Sequence, residues 1–195
     1  MITRWWWVRH GPTHSRAANG WTDIPADLSD AAALERLRRY LPAPALVISS
    51  DLVRARDTAE AVLGPRDLGP AEKALREMHF GDWEGRDFTS IAETEPELSR
   101  RFWEEPGDAA PPNGESWNRF GRRVRKATAD ITDLHRGRDI VAVAHFGTIL
   151  AALQSAAGMD ARTAMKFRVD NLSVTRLDFL HETARWRVGG VNLRP

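Results

Sequence analysis

Three short apolar runs, each with a helical pattern as the next element, constrain this chain more than any other feature of its sequence. They cover residues 3–9 (TRWWWVR), 45–49 (ALVIS) and 139–144 (DIVAVA). Apolar on both faces and short, such runs read as strands covered from both sides. Helices are predicted over about 30–41, with Leu34, Leu37 and Leu41 in step and Ser29 as cap, over about 52–63 with Ser50-Asp51 as cap, and over 148–157. Pro42 and Gly64-Pro65 stop the first two. Strands alternating with helices predict an α/β fold: a three-layer α/β/α sandwich around a mostly parallel sheet. Residues 172–180 and 184–188, joined across His181-Glu182-Thr183, predict a closing hairpin at an edge of that sheet.

The middle of the chain has a different texture. A short strand is predicted near 74–78, leading into the glycine-punctuated loop HFGDWEGRDF. Pro96, Pro106, Pro111 and Pro112 break the next stretch into helical fragments, so that about 86–114 reads as a lid-like excursion over one face of the sheet. A helix over about 115–135 follows, because Trp117, Phe120, Val124, Ala127, Ile131 and Leu134 keep to one stripe. With no repeat and no low-complexity tract, the 195 residues are expected to form one domain, 1–195.

Composition narrows the chemistry. The chain has no cysteine, which excludes disulfides, thiolate nucleophiles and cysteine-type zinc sites. Lys plus Arg number 28 against 27 Asp plus Glu, a formal charge of +1, so a nucleic-acid partner is not expected. No apolar run approaches the ~18 residues needed to span a bilayer, so no membrane partner is expected either. The opening residues MITRWWWVRHG read as a strand rather than a leader, and a cytoplasmic location is the expectation. Any cationic site must therefore be local.

In open α/β sheets the ligand sits beyond the carboxyl ends of the strands. Here the first strand ends in Arg9-His10-Gly11, the second is followed by Arg54 in the first turn of its helix, and the third ends in His145, with Gly147 two residues on. One such residue alone is more often a surface arginine or a capped histidine. Two arginines and two histidines from three strand ends instead predict a compact basic pocket, suited to a small dianion such as the phosphoryl group of a small-molecule phosphate ester. Helix N-termini after Gly11 or Gly147 would add backbone N–H donors. An imidazole partly neutral near pH 7 can attack phosphorus as well as bind it, so one histidine attacks and the other donates. An alkoxide leaves poorly, so a carboxyl group should protonate it; Glu77 is the best placed, with Asp82 and Glu84 as competitors.

The blocks that carry these residues have a likeness of their own. Arg9-His10-Gly11 after an N-terminal strand, SSDLVRARDTA around Arg54, LREMHFGDWEG around Glu77, PPNGES at 111–116 and VAHFGT around His145 together resemble the histidine phosphatase superfamily, the phosphoglycerate-mutase-like fold. The resemblance implies that His10 is transiently phosphorylated, that Arg9, Arg54 and His145 hold the phosphoryl group, and that Glu77 is the proton donor. It implies a metal-independent hydrolase of phosphoric monoesters with no cofactor. Within the superfamily the pattern is most similar to small bacterial phosphatases, the alpha-ribazole-5'-phosphate and broad-specificity kinds together. A mutase-type phosphotransferase and a non-catalytic phospholigand-binding protein are the alternatives. Candidates for contact with phosphate or substrate are Gly11, Thr13, Arg16, Gly20, Trp21, Phe146 and Gly147. Arg16 departs from the family pattern, which often has Asn there.

Several other residues have bland readings. His14 is expected as an exposed loop residue, and His79 as either a neighbour that tunes Glu77 or a packing residue. Trp5, Trp6, Trp7, Trp117 and Trp186 fall on core positions, whereas Trp21, Trp83 and Trp103 are candidates for a substrate mouth. The acids Asp82, Glu84 and Asp87 lack a second ligand group for Mg²⁺. The run RFGRRVRK at 119–126 reads as the solvated face of its helix.

Overall fold

Strand β1 (Ile2–Arg9) lies inside a six-stranded sheet in the computed structural model, which describes residues 1–195. The other strands are β2 (Leu46–Ser49), β3 (Asp67–Ala71), β4 (Asp139–Ala144), β5 (Val174–Leu180) and β6 (Arg185–Leu193). Their spatial order is β3-β2-β4-β1-β5-β6. From β3 to β1 all pairings are parallel, while β5 runs antiparallel to β1 and β6 antiparallel to β5. The mixed α/β class, the parallel body and the edge hairpin agree with the sequence reading. The hairpin is longer than predicted, because β6 continues pairing past Val188 to Leu193.

Strand alternation sorts the core into two layers. Trp5 and Trp7, fully buried and stacked at 4.8 Å, share one face with Ile140, Ala142 and Ala144 of β4. That face is covered by α5 (Trp117–Leu134) and α6 (Phe146–Ala157). Val8, Val141 and Val143 point the other way, onto α1 (Ala31–Tyr40) and α2 (Val53–Val62). A period-two pattern apolar on both sides therefore ends buried between two helix layers, as physics requires of a parallel sheet.

The register places the site. Arg9 lies opposite Ala144, so the next residues of the two neighbouring strands, His10 and His145, emerge side by side. The chain leaves β1 on one side of β4 and enters β2 on the other, which opens a crevice at the carboxyl ends where the strand order reverses.

Four local expectations need correction. Asp30, not Ser29, caps α1, its carboxylate accepting from the Ala33 N–H. Neither Ser50 nor Asp51 caps α2 at its first helical residue; Asp23, distant in sequence, accepts from the Val53 N–H at 2.7 Å, and Asp51 is drawn into an ion pair with Arg76. The strand expected over 74–78 is absent. The sheet edge is Asp67–Ala71, despite its Gly69 and Pro70, because its backbone pairs with the exposed edge of β2, while Lys73–Leu75 forms a 3₁₀ turn. Finally, α6 begins at Phe146, two residues before the predicted start, with His145 in extended geometry as its cap position. The excursion contains α3 (Phe88–Thr94) and α4 (Pro96–Glu104), with the break between these fragments at Pro96, as expected, where the proline opens α4. A short α7 (Ala161–Ala164) precedes the hairpin. No helix is long and apolar enough to cross a membrane.

Candidate functional site

A cavity of about 690 Å³ opens at the carboxyl ends of β1 and β4. Arg9, His10, Arg54 and Glu77 line its floor, and Thr13, Arg16, Phe146 and Gly147 line it further out. His145 is fully buried directly behind, its ring centroid 5.1 Å from that of His10. Three strand ends thus bring together the two arginines and two histidines the sequence singled out, and the irregular segment after Leu75 adds Glu77.

Hydrogen bonds assign the protons of the two imidazoles. His10 Nδ1 lies 2.6 Å from the Gly11 carbonyl, which can only accept, so Nδ1 carries the proton and Nε2 keeps its lone pair. His145 Nδ1 lies 3.2 Å from Arg54 Nε, which can only donate, so the proton of His145 is on Nε2. That Nε2–H is buried and has no partner within the protein. The Arg9 Nε–H is likewise buried without a partner. Two orphaned donors beside an open cavity are costly unless an acceptor arrives, which is how a protein builds a receptor for an anion.

The arginines are held rigidly. Arg54 is 2% exposed, and its fork also donates to the carbonyls of Thr22 at 2.8 Å and Gly20 at 2.6 Å. Arg9 donates to the Val169 carbonyl at 2.7 Å, with its guanidinium over the Phe146 ring. Glu77 accepts from the backbone N–H groups of Met78 and Gly147, both at 2.9 Å. Gly147 is required there, because a side chain would run into the Glu77 carboxylate.

These surroundings shift the imidazoles and the carboxyl in opposite directions. Burial, then the cations Arg54 and Arg9, push the His10 imidazole down to about 3, against the pull of its bond to Gly11. Burial likewise holds His145 well below the usual range, with His10, Arg54 and Arg9 adding to the effect. Burial raises the Glu77 carboxyl above its ordinary value, even though two N–H groups and both arginines favour the charged form. A neutral imidazole thus shares one cavity wall with a carboxyl whose pKa is raised.

The same shifts predict how stability responds to acid. A base whose pKa is depressed on folding costs nothing above its unfolded value, and the penalty grows as pH falls below that value towards the folded one. Lowering the pH from 8 to 5 should therefore remove about 2 kcal/mol from the folding free energy through His10, and His145 should add to the loss in the same direction. Glu77 offsets part of this, because its raised pKa lets the folded state take up a proton first. Urea titrations at both pH values check it, and an unfolding free energy unchanged or higher at pH 5 contradicts the assignment.

Not every expected residue faces the cavity. Gly11, Gly20 and Trp21 are set back from the lining. The Gly11 N–H donates to Thr58 Oγ1 rather than outward, and no helix follows it before α1. The Gly147 N–H, expected as a free donor, is spent on Glu77. Trp21 packs against His79 and donates its indole N–H to the Glu77 carbonyl, so both are neighbours of the site rather than its walls. Trp83 is fully buried in the core, not at the mouth, whereas Trp117 does both jobs, packing the core and lining the cavity. Trp103 lines the cavity as expected, together with Phe88 and Phe102 of the excursion. His14 is exposed and bonded to Asp27.

The competing acids have other roles. Glu84 organises the 20–22 loop, accepting from the N–H groups of Gly20, Trp21 and Thr22 and from Phe80 N–H. Asp82 is paired with the exposed Asn113 amide. No three His, Asp or Glu side chains lie together in an arrangement that could hold a metal ion. Two residues escaped the sequence reading. Asn171 donates to the His10 carbonyl at 2.8 Å, and nothing local in KFRVDNLS signals it. Arg123, assigned to a solvated helix face, is turned inward, its side chain only 20% exposed. Its place three residues after Phe120 and next to Val124, on the apolar stripe, was the available clue.

The comparisons with known proteins agree on family and fold. The model of the histidine phosphatase superfamily (branch 1) matches residues 5–192. The chain is 30% identical over 192 residues to the adenosylcobalamin/alpha-ribazole phosphatase of Escherichia coli K12, covering 95% of this chain and 94% of that one. The alpha-ribazole phosphatase structure from Shigella flexneri superposes with a TM-score of 0.86 at 28% identity, over 98% of this chain and 96% of the other. A mycobacterial glucosyl-3-phosphoglycerate phosphatase superposes with a TM-score of 0.83 at 28% identity, over 99% and 100% of the two chains.

Proposed function

The chain belongs to the histidine phosphatase superfamily, and from that premise we propose that it hydrolyses small phosphomonoesters through a phosphohistidine on His10. The observation that carries this reading is the placing of two groups on one cavity wall: His10 with its Nε2 lone pair free, and Glu77, a buried carboxyl whose pKa burial raises. A binding protein for phosphorylated ligands has no need of the second group.

In the first step His10 Nε2 forms a bond to phosphorus, the ester P–O bond breaks, and the Glu77 proton passes to the departing oxygen, releasing the alcohol. Arg9, Arg54 and the Nε2–H of His145 receive the charge that gathers on the phosphoryl oxygens. In the second step the Glu77 carboxylate takes a proton from water, that water bonds to phosphorus, and the P–N bond breaks. Inorganic phosphate leaves, with His10 neutral and Glu77 protonated again. The sum is one ester and one water giving one alcohol and one phosphate.

The outer cavity is walled by Phe80, Phe88, Phe102, Trp103 and Phe146, which suits an alcohol with an apolar body. Arg16, on the same wall and without an ion-pair or hydrogen-bond partner of its own, is a further substrate contact in this reading. Alpha-ribazole 5'-phosphate, the ester for which two of the relatives are named, is the first substrate to try. The test is phosphate release from an aryl phosphate in the presence of EDTA. Turnover should be unaffected by the chelator, and its loss would refute the metal-free mechanism.

A further inference from the structure

Glu77 stands on a segment without regular structure, between the 3₁₀ turn ending at Leu75 and the next turn beginning at Gly81. A carboxyl that must meet a departing oxygen needs its place held to within about 0.5 Å, and a segment lacking ladder or helix bonds has to get that from side chains. Arg123 of α5 provides them. Its Nη1 donates to the carbonyls of Ala74 at 2.9 Å and Arg76 at 3.1 Å, and its Nη2 donates to the carbonyl of Glu77 itself at 3.1 Å. The rest of the fork donates to Glu115, from Nε to Oε1 at 2.9 Å and from Nη2 to Oε2 at 2.6 Å.

Glu115 closes the loop, because its Oε2 also accepts from the His79 N–H at 3.0 Å. The backbone on both sides of Glu77 is thus tied to one ion pair whose side chains are 20% and 14% exposed. Trp21 adds a second donor to the Glu77 carbonyl, its indole N–H at 2.9 Å, and its ring lies within 5.9 Å of the Arg123 guanidinium carbon. A brace that satisfies every donor of a mostly buried guanidinium is rigid, and its rigidity is passed to the one acid in the cavity.

We propose that Arg123, with Glu115 and Trp21, is a positioning residue for Glu77: it acts on proton delivery to the leaving group, not on phosphoryl binding. This rests on the phosphatase reading above. Arg123→Met keeps the apolar stem and removes every donor. Its kcat/KM on an alkyl phosphate should fall about 30-fold or more, and on 4-nitrophenyl phosphate no more than about threefold, since outer contacts of this kind are worth about 10–100-fold and nitrophenolate hardly needs the acid. Inhibition by inorganic phosphate should stay within about threefold of wild type, because Arg9, Arg54 and the buried His145 behind them are untouched.

Trp21→Phe removes only the indole donor and should tilt the two esters in the same direction by a smaller factor; it carries the test alone if Arg123→Met does not fold. Equal losses on both esters, no loss on the alkyl ester, or phosphate inhibition weakened in step with turnover each overturn the proposal. A wild-type protein that releases phosphate from neither ester overturns the phosphatase reading itself, and this proposal with it.

Discussion

His10→Ala should lose on the order of 10⁵-fold in turnover of every phosphomonoester, the scale on which removing a covalent nucleophile acts. No other group can take its place. His145 is fully buried and carries its proton on Nε2, with Nδ1 bound to Arg54, so neither nitrogen offers a lone pair to the cavity. The variant should also fail to take up acid-labile phosphate from substrate, whereas wild type is labelled during turnover. Its affinity for inorganic phosphate should survive, because Arg9 and Arg54 keep their partners on Val169, Thr22 and Gly20. A variant that still turns over, or one that keeps the label, removes His10 from the mechanism. If the wild type transfers phosphate to a second hydroxyl faster than to water, the chain works instead as a phosphotransferase of the mutase kind.

The second large effect is at Glu77. Glu77→Gln is nearly isosteric, but its single amide oxygen keeps only one of the two N–H groups, Met78 or Gly147, that the separate carboxylate oxygens accept, and it has no proton to deliver at neutral pH. Alkyl esters should lose about 10²–10⁴-fold in kcat/KM, the usual worth of a general acid, and 4-nitrophenyl phosphate less than about tenfold. The alkaline limb of the wild-type pH profile that reports Glu77 should vanish in the variant. Its sign follows from the raised pKa: the acid is active below that value and lost as pH rises through it. Equal losses across a leaving-group series would assign Glu77 a role in holding Gly147 rather than in proton transfer.

Much of this site was legible before any coordinates. Arg9, His10 and His145 follow buried strands whose apolar runs are visible by eye, and a strand end in an α/β sheet has a known relation to the ligand. Arg54 follows from the same rule through the first turn of α2. Glu77 was named correctly as a member of the cavity wall for a wrong local reason, since no strand leads to it. Its segment lacks periodicity because Arg123, Trp21 and Thr148, far away in the chain, supply the bonds that a strand would otherwise make. Gly20 and Trp21 were misplaced for the same reason. They form part of the brace and the arginine cradle, behind the surface they were expected to form.

The division between the two kinds of information is physical. Alternation of apolar residues, breaks at proline and glycine, and the order of chemical groups along the chain are local, so the sequence alone determined the layers of the fold and which residues stand at the strand ends. Proton positions and charge states depend on burial and on bonds between residues tens of positions apart. Only the tertiary structure decided that His10 presents a lone pair, that burial raises the Glu77 pKa, and that one arginine of a basic run turns inward to brace its segment.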